Sequence, residues 1–144
     1  MRTRLFAVLA FALVSTACGN AQAAKTPTTP QKTSNIAGTW KWKQGAESLD
    51  LTLKQEGTKI TGYHSAIGQR GAKADEVPPD AAEPSLQGEI KGLVATVQFR
   101  TGYPDSTGHG TATLTLRGGY LNWQIVKSEG EHYLPKSARL SRGK

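Results

Sequence analysis

From Ile36 onward, apolar residues recur at every second position and not at every third or fourth. Trp40 and Trp42 fall on one face, with Lys41 and Lys43 on the other. Leu49, Leu51 and Leu53 alternate with Asp50, Thr52 and Lys54. Leu86, Gly88 and Ile90 alternate with Gln87, Glu89 and Lys91, and Leu93, Ala95, Val97 and Phe99 make a further face. Residues 110–117 are rich in Thr, and residues 120–128 place Leu121, Trp123 and Ile125 together. Period two over short runs is the mark of strands with one buried face.

The punctuation between these runs is turn chemistry. Glu56-Gly57-Thr58, Gly92, Gly118-Gly119 and Glu129-Gly130 each close a hairpin. A last strand begins at Glu131–Leu134, is interrupted by Pro135 and resumes at 138–141. The result is an all-β domain: an antiparallel up-and-down meander of about seven or eight strands closing into a small barrel, with a flattened sandwich as the other arrangement of the same strands. Two segments break the rhythm, 67–84 and 101–109. Loops of this length in a small domain usually serve function.

Before residue 36 the pattern is different. Met1–Arg4 is a short basic start, and Leu5–Val14 is an apolar run too short to cross a bilayer. This is the layout of a secretory signal. Val14-Ser-Thr-Ala-Cys18 resembles the lipobox of bacterial lipoproteins, in which the cysteine is acylated and becomes the new N-terminus. Gly19 at the next position, by the sorting pattern of Gram-negative lipoproteins, directs the product to the outer membrane, facing the periplasm. Cleavage after Ala21-Gln-Ala23 would instead release a soluble periplasmic or secreted protein. Residues 19–35 hold no large apolar side chain and read as a flexible tether. The expected organisation is a signal peptide at 1–17, a lipidated Cys18 with its tether to residue 35, and a barrel domain at 36–144.

The domain opens with Gly38-Thr-Trp40, an opening that recurs in calycins, the barrels that include lipocalins and avidins. Lys59-Ile-Thr-Gly-Tyr-His-Ser-Ala-Ile-Gly-Gln69 then resembles the third strand and following loop of avidin-type proteins. The resemblance covers the first third of the domain. It implies a barrel, with Tyr63, Ser65 and Gln69 at positions that touch ligand in that family, and Trp123 as an aromatic wall residue. Trp42 stands where avidins place a polar ligand contact, and their closing aspartate has no counterpart, so the resemblance implies the barrel without biotin. The ending Tyr133-Leu-Pro-Lys-Ser-Ala-Arg-Leu140 is similar to small bacterial envelope lipoproteins, which implies a location and no activity.

One cysteine in 144 residues excludes an internal disulfide and a cysteine-based zinc cluster. His64, His109 and His132 show no i+2 or i+4 pairing, so they predict surface imidazoles and no metal site. Asp75, Glu76, Asp80 and Glu83 lie in a proline-rich segment and predict a solvated acidic loop, a poor frame for acid–base catalysis. Asp105, Ser106 and His109 are neighbours in sequence, whereas serine triads are assembled by the fold, and no nucleophile-elbow pattern is present. No cofactor is expected. Net charge is +7, and losing Arg2 and Arg4 with a signal lowers it by two, to about +5. That excess carries no aromatic-interleaved stripe of the kind that binds nucleic acid. It suits solvated lysines guarding strand edges, or an anionic envelope polymer or acidic protein surface.

Two functions are consistent with these residues. The favoured one is a non-enzymatic envelope lipoprotein, anchored to the membrane by its N-terminal lipid. It would bind and neutralise another envelope protein such as a toxin or hydrolase, as inhibitors and immunity proteins do. The two irregular segments would form the binding surface, and Tyr103 its anchor. The other is a calycin-type carrier of a small apolar or amphipathic ligand, lined by Trp40, Trp42 and Trp123. Packing is the competing role for those tryptophans, since an eight-stranded barrel is either filled by side chains or holds one small ligand.

Overall fold

The computed structural model describes residues 32–144. The expected signal, Cys18 and most of the tether lie outside the described residues. Nine strands follow in order: β1 (Gly38–Gln44), β2 (Glu47–Glu56), β3 (Lys59–Gly68), β4 (Lys73–Val77), β5 (Leu86–Lys91), β6 (Val94–Arg100), β7 (His109–Arg117), β8 (Tyr120–Glu129) and β9 (Ser137–Arg142). Eight of them close into an antiparallel barrel, β1-β2-β3-β5-β6-β7-β8-β9, with β9 returning to β1. The ninth, β4, is extra. Strand β3 is shared along its length: residues Lys59–Gly62 pair with β5, and His64–Gly68 pair with β4.

The segment 67–84 is therefore not a loop throughout. It makes one tight turn at Gln69–Gly71, returns as β4 and turns again before β5. Residues 131–136 correct the expectation in the other direction. They form a connection and not the start of the last strand, which begins at Ser137. Pro135 cannot donate to a ladder, and Tyr133 N–H goes to a side chain.

The alternation seen in the sequence fills the barrel. Trp40, Leu49, Leu51, Ile60, Leu86, Ile90, Val97, Leu114, Leu121, Trp123 and Leu140 are buried in one continuous core. Leu93, which shares parity with that set, is exposed because it sits in the β5–β6 turn. Antiparallel alternation puts the short turns after β2, β5 and β7 at one end, together with the N-terminal segment. Ile36 is wholly buried there, and Trp40 donates its indole N–H to Ile36 O at 2.9 Å. Residues just before Ile36 are also fastened here: Ser34 N–H bonds Gly92 O at 3.0 Å, and Gln55 reaches both Ser34 O and Ile36 N–H. The opposite end collects β4, the turns around it, the β6–β7 connection and the β8–β9 connection. These are called the tether end and the loop end below.

Candidate functional site

The loop end is closed by a polar cluster built on β3 and β4. In β3 the inward positions are Ile60, Gly62, His64, Ala66 and Gly68. His64 is thus an inward residue at the last turn of the barrel, 2% exposed, where the sequence predicts a surface imidazole. In β4 the inward residues are Asp75 and Val77. Asp75 is 0% exposed, which corrects its reading as part of a solvated loop; Glu76, Asp80 and Glu83 are exposed or nearly so, as expected of that loop.

Asp75 accepts four hydrogen bonds. His64 Nε2 lies 3.1 Å and Gly102 N–H 2.6 Å from Oδ1, while Thr101 Oγ1 lies 2.7 Å and Tyr133 N–H 2.9 Å from Oδ2. His64 Nδ1 in turn meets the Ser85 hydroxyl at 2.7 Å. With Asp75 ionised, His64 Nε2–H donates to the carboxylate, and Nδ1 shares a hydrogen bond with the Ser85 hydroxyl. Burial alone would push the Asp75 carboxyl up, but the bonds from His64, Tyr133, Thr101 and Gly102 outweigh it and hold the pKa at about 2. One carboxylate thereby ties β4 to the start of the β6–β7 connection and to the β8–β9 connection. The approach is so close that a Cβ at Gly102 would lie 1.9 Å from Glu76 O. His132 packs edge-on against Phe99, its Nδ1 buried without a partner, and burial pushes its pKa down. Among the described residues no three His, Cys, Asp or Glu side chains are grouped to hold a metal ion.

Ser85, His64 and Asp75 are the residue types of a hydrolytic triad. Their environment is that of a latch: the serine is 2% exposed, and the carboxylate is saturated by backbone and side-chain donors from three separate segments. The sequence held a signal for this cluster. His64 is in phase with Ile60 and Ala66, and Asp75 is in phase with Val77. What it lacked was the pairing of β4 with β3.

Outside the latch lies an aromatic ledge. Tyr103 stands edge-on to Tyr133, ring centres 4.7 Å apart, and accepts a 2.7 Å hydrogen bond from Lys73 Nζ. The ammonium lies over both rings, and Tyr133 OH donates to Glu131. The Tyr103 bond leads in raising the Lys73 pKa, and the Glu131 bond leads in raising that of Tyr133 to about 12. Tyr103 is thus half-buried and held, not a free loop side chain.

The other expected site residues are scattered. Tyr63 and Ser65 point outward from β3, the opposite face from a barrel interior, because the inward parity belongs to His64. Tyr63 OH lies 3.5 Å from Ala81 O. Gln69 is exposed in the turn after β3. The avidin-like positions therefore do not converge on the interior. Trp40 and Trp123 are buried in the core, and Trp123 donates to Pro135 O at 2.8 Å. Trp42 is half-buried beside a groove of about 380 Å³, which also touches Trp123, Ala138 and Arg139. The groove lies where β1 and β9 part: they pair only at Trp40↔Arg142 and Lys41↔Ser141.

Comparison with family models, with characterised proteins and with solved structures gave no match to this chain.

Proposed function

We propose that this chain is a cell-envelope lipoprotein whose calycin-like barrel acts as a non-enzymatic binding domain. In this reading Cys18 carries the lipid, and the loop end binds and neutralises another envelope protein. One observation carries the proposal: the irregular segments, with half-buried Tyr103 among them, gather at the end of a filled barrel opposite the N-terminal segment. A tether leaving the far end would present those segments away from the anchoring surface. Rigid strands with recognition on the connecting segments are a common division of labour.

The experiment is site-specific photocrosslinking in the envelope. A crosslinker at position 103 should trap one protein partner that a crosslinker at position 96, on the outer face of β6, does not. Equal trapping at both positions would defeat the proposal. Lipidation is tested separately: Cys18→Ser should move the protein from the membrane to the soluble envelope fraction, and an unchanged distribution would remove the anchor. The non-enzymatic reading predicts that an active-site fluorophosphonate probe leaves Ser85 unlabelled, since its hydroxyl is sealed against His64.

A second reading rests on the groove beside Trp42. A carrier of a small amphipathic ligand would use this split in the barrel wall, since the core occupies the interior. Native mass analysis of protein purified from its own envelope would report a retained small molecule, and Trp42→Ala would lose it.

A further inference from the structure

Acids and exposed apolar side chains divide between the two ends of the barrel, while cations such as Arg70, Arg100 and Lys136 at the loop end and Lys59, Lys91 and Arg117 at the tether end stand at both. Glu47, Asp75, Glu76, Asp80, Glu83, Asp105, Glu129 and Glu131 all belong to the loop end, and Asp50 pairs with Lys41 at mid-barrel. The tether end keeps only Glu56 and Glu89 among its acids. Each of its three hairpin turns carries an exposed cation instead: Lys59 after β2, Lys91 before β6 and Arg117 before β8. Lys54 and the C-terminal Lys144 add to them, and none of these cations enters an ion pair among the described residues.

The exposed large apolar side chains gather at the same end. Leu93 is 53% exposed, Val94 40% and Tyr120 40%; the fourth, Val126, lies far along β8. The turns that hold them are neighbours. Leu116 N–H bonds Leu93 O at 3.1 Å, Val94 pairs with Thr115, and Tyr120 pairs with Arg117. The Arg139 guanidinium stacks 3.9 Å from the centre of the Tyr120 ring, so even this aromatic presents a cation beside it. Apolar tips set among unpaired cations match a surface that is anionic at its face and apolar just beneath. A soluble polyanion would use the cations and have no need of Leu93 or Val94. The described residues begin at this end, where Ser34 is fastened to the β5–β6 turn at Gly92, and the sequence before them carries Lys25 as a further cation.

We propose that the tether end of the barrel is itself a docking face for an anionic phospholipid bilayer. Leu93, Val94 and Tyr120 enter the headgroup layer, and Lys59, Lys91 and Arg117 meet the phosphates around them. Cations near an anionic leaflet each add affinity, and small apolar areas with a polybasic surround bind reversibly. Docking in this pose holds the barrel upright, with the acidic loop end facing away. It does not depend on an acyl chain, so it stands or falls apart from the lipidation of Cys18.

The test uses the mature chain from position 18 carrying Cys18→Ser, so that no lipid contributes, and measures co-sedimentation with vesicles. Partition onto phosphatidylglycerol-containing vesicles should exceed that onto pure phosphatidylcholine by about tenfold or more, and should fall with added salt. The triple variant Lys59→Glu, Lys91→Glu, Arg117→Glu should lose at least that factor. Leu93→Asp with Val94→Asp should also weaken vesicle binding while leaving binding to soluble polyphosphate unchanged. Arg70→Glu with Lys136→Glu at the loop end should bind vesicles like the parent, and all variants should keep the parent's far-UV spectrum. Equal partition onto neutral and anionic vesicles would overturn the proposal. So would undiminished vesicle binding by either the triple variant or the Leu93 and Val94 double variant.

Discussion

At the scale of single residues, Asp75 shows how far one side chain's role depends on what the fold brings to it. Its carboxylate replaces the water lost on burial with four donors, from two different connections as well as from β3. A fall from 3.8 to about 2 corresponds to about 2 kcal/mol of stability at neutral pH. Asp75→Asn offers one acceptor oxygen where two are used and turns an amide toward donors. It should cost about 3 kcal/mol in urea denaturation, the loss expected when several buried donors lose an ionised acceptor. Glu76→Gln, one residue away and exposed, should change stability by no more than about 0.5 kcal/mol. If the two variants melt alike, Asp75 is not a latch. Trp123 belongs to the same scale. Buried against Phe99, with its N–H committed to Pro135 O, it should cost about 3–5 kcal/mol as Trp123→Ala. Normal stability together with loss of a bound small molecule would transfer it to a ligand site.

At the scale of elements, hairpins set the register and their turn residues are testable. Gly118 and Gly119 have φ of +55° and +81°, and nothing lies within 4 Å of where a Cβ would sit on either. Both central positions of a two-residue turn at positive φ require glycine or asparagine. Gly118→Val should therefore lower stability by about 1–3 kcal/mol through backbone strain alone, whereas Gly118→Asn should recover most of it. Equal effects in thermal melts would mean that the turn does not hold the β7–β8 register. Strand β4 is the element that the sequence pattern did not reveal. Five residues with three charges, between a glycine turn and Pro78-Pro79, carry too short an alternation to stand out. It becomes a strand because β5 leaves the upper half of the β3 edge unpaired, and those backbone groups need partners.

For the whole molecule, stability against pH sums these local shifts. Burial lowers the His132 pKa, so the unfolded chain takes up a proton more readily than the folded chain, and stability falls as pH drops below about 6.5. Asp75 adds a second loss as pH falls from 3.8 through about 2. Tyr133 is raised from 10.0 to about 12 and Lys73 is raised from 10.5, so both withdraw stability as pH rises above 10. Thermal midpoints should form a plateau between about pH 6.5 and 10. Replacing His132 with Phe should extend it on the acid side. An acid decline that begins only below about pH 4 in the parent would show that His132 carries no such load.

Sequence alone determined the all-β class, the hairpin turns and most of the inward set from Trp40 to Trp123; Leu93 and Trp42, read as sharing those faces, are exposed and half-buried. These follow from local rules: alternation decides which face is buried, and glycine decides where the chain reverses. It also placed His64 in phase with the core, a signal legible in hindsight from Ile60 and Ala66. The tertiary structure alone decided that Asp75 is buried, that Tyr63 and Ser65 face outward, and that the irregular segments meet at one end. Each of these depends on contacts between residues far apart in the chain, such as Asp75 with Tyr133, and no local pattern encodes such a meeting. The barrel's polarity has the same origin. The acids are spread along the sequence, and only the up-and-down course of the strands gathers most of them at one end, while cations stand at both.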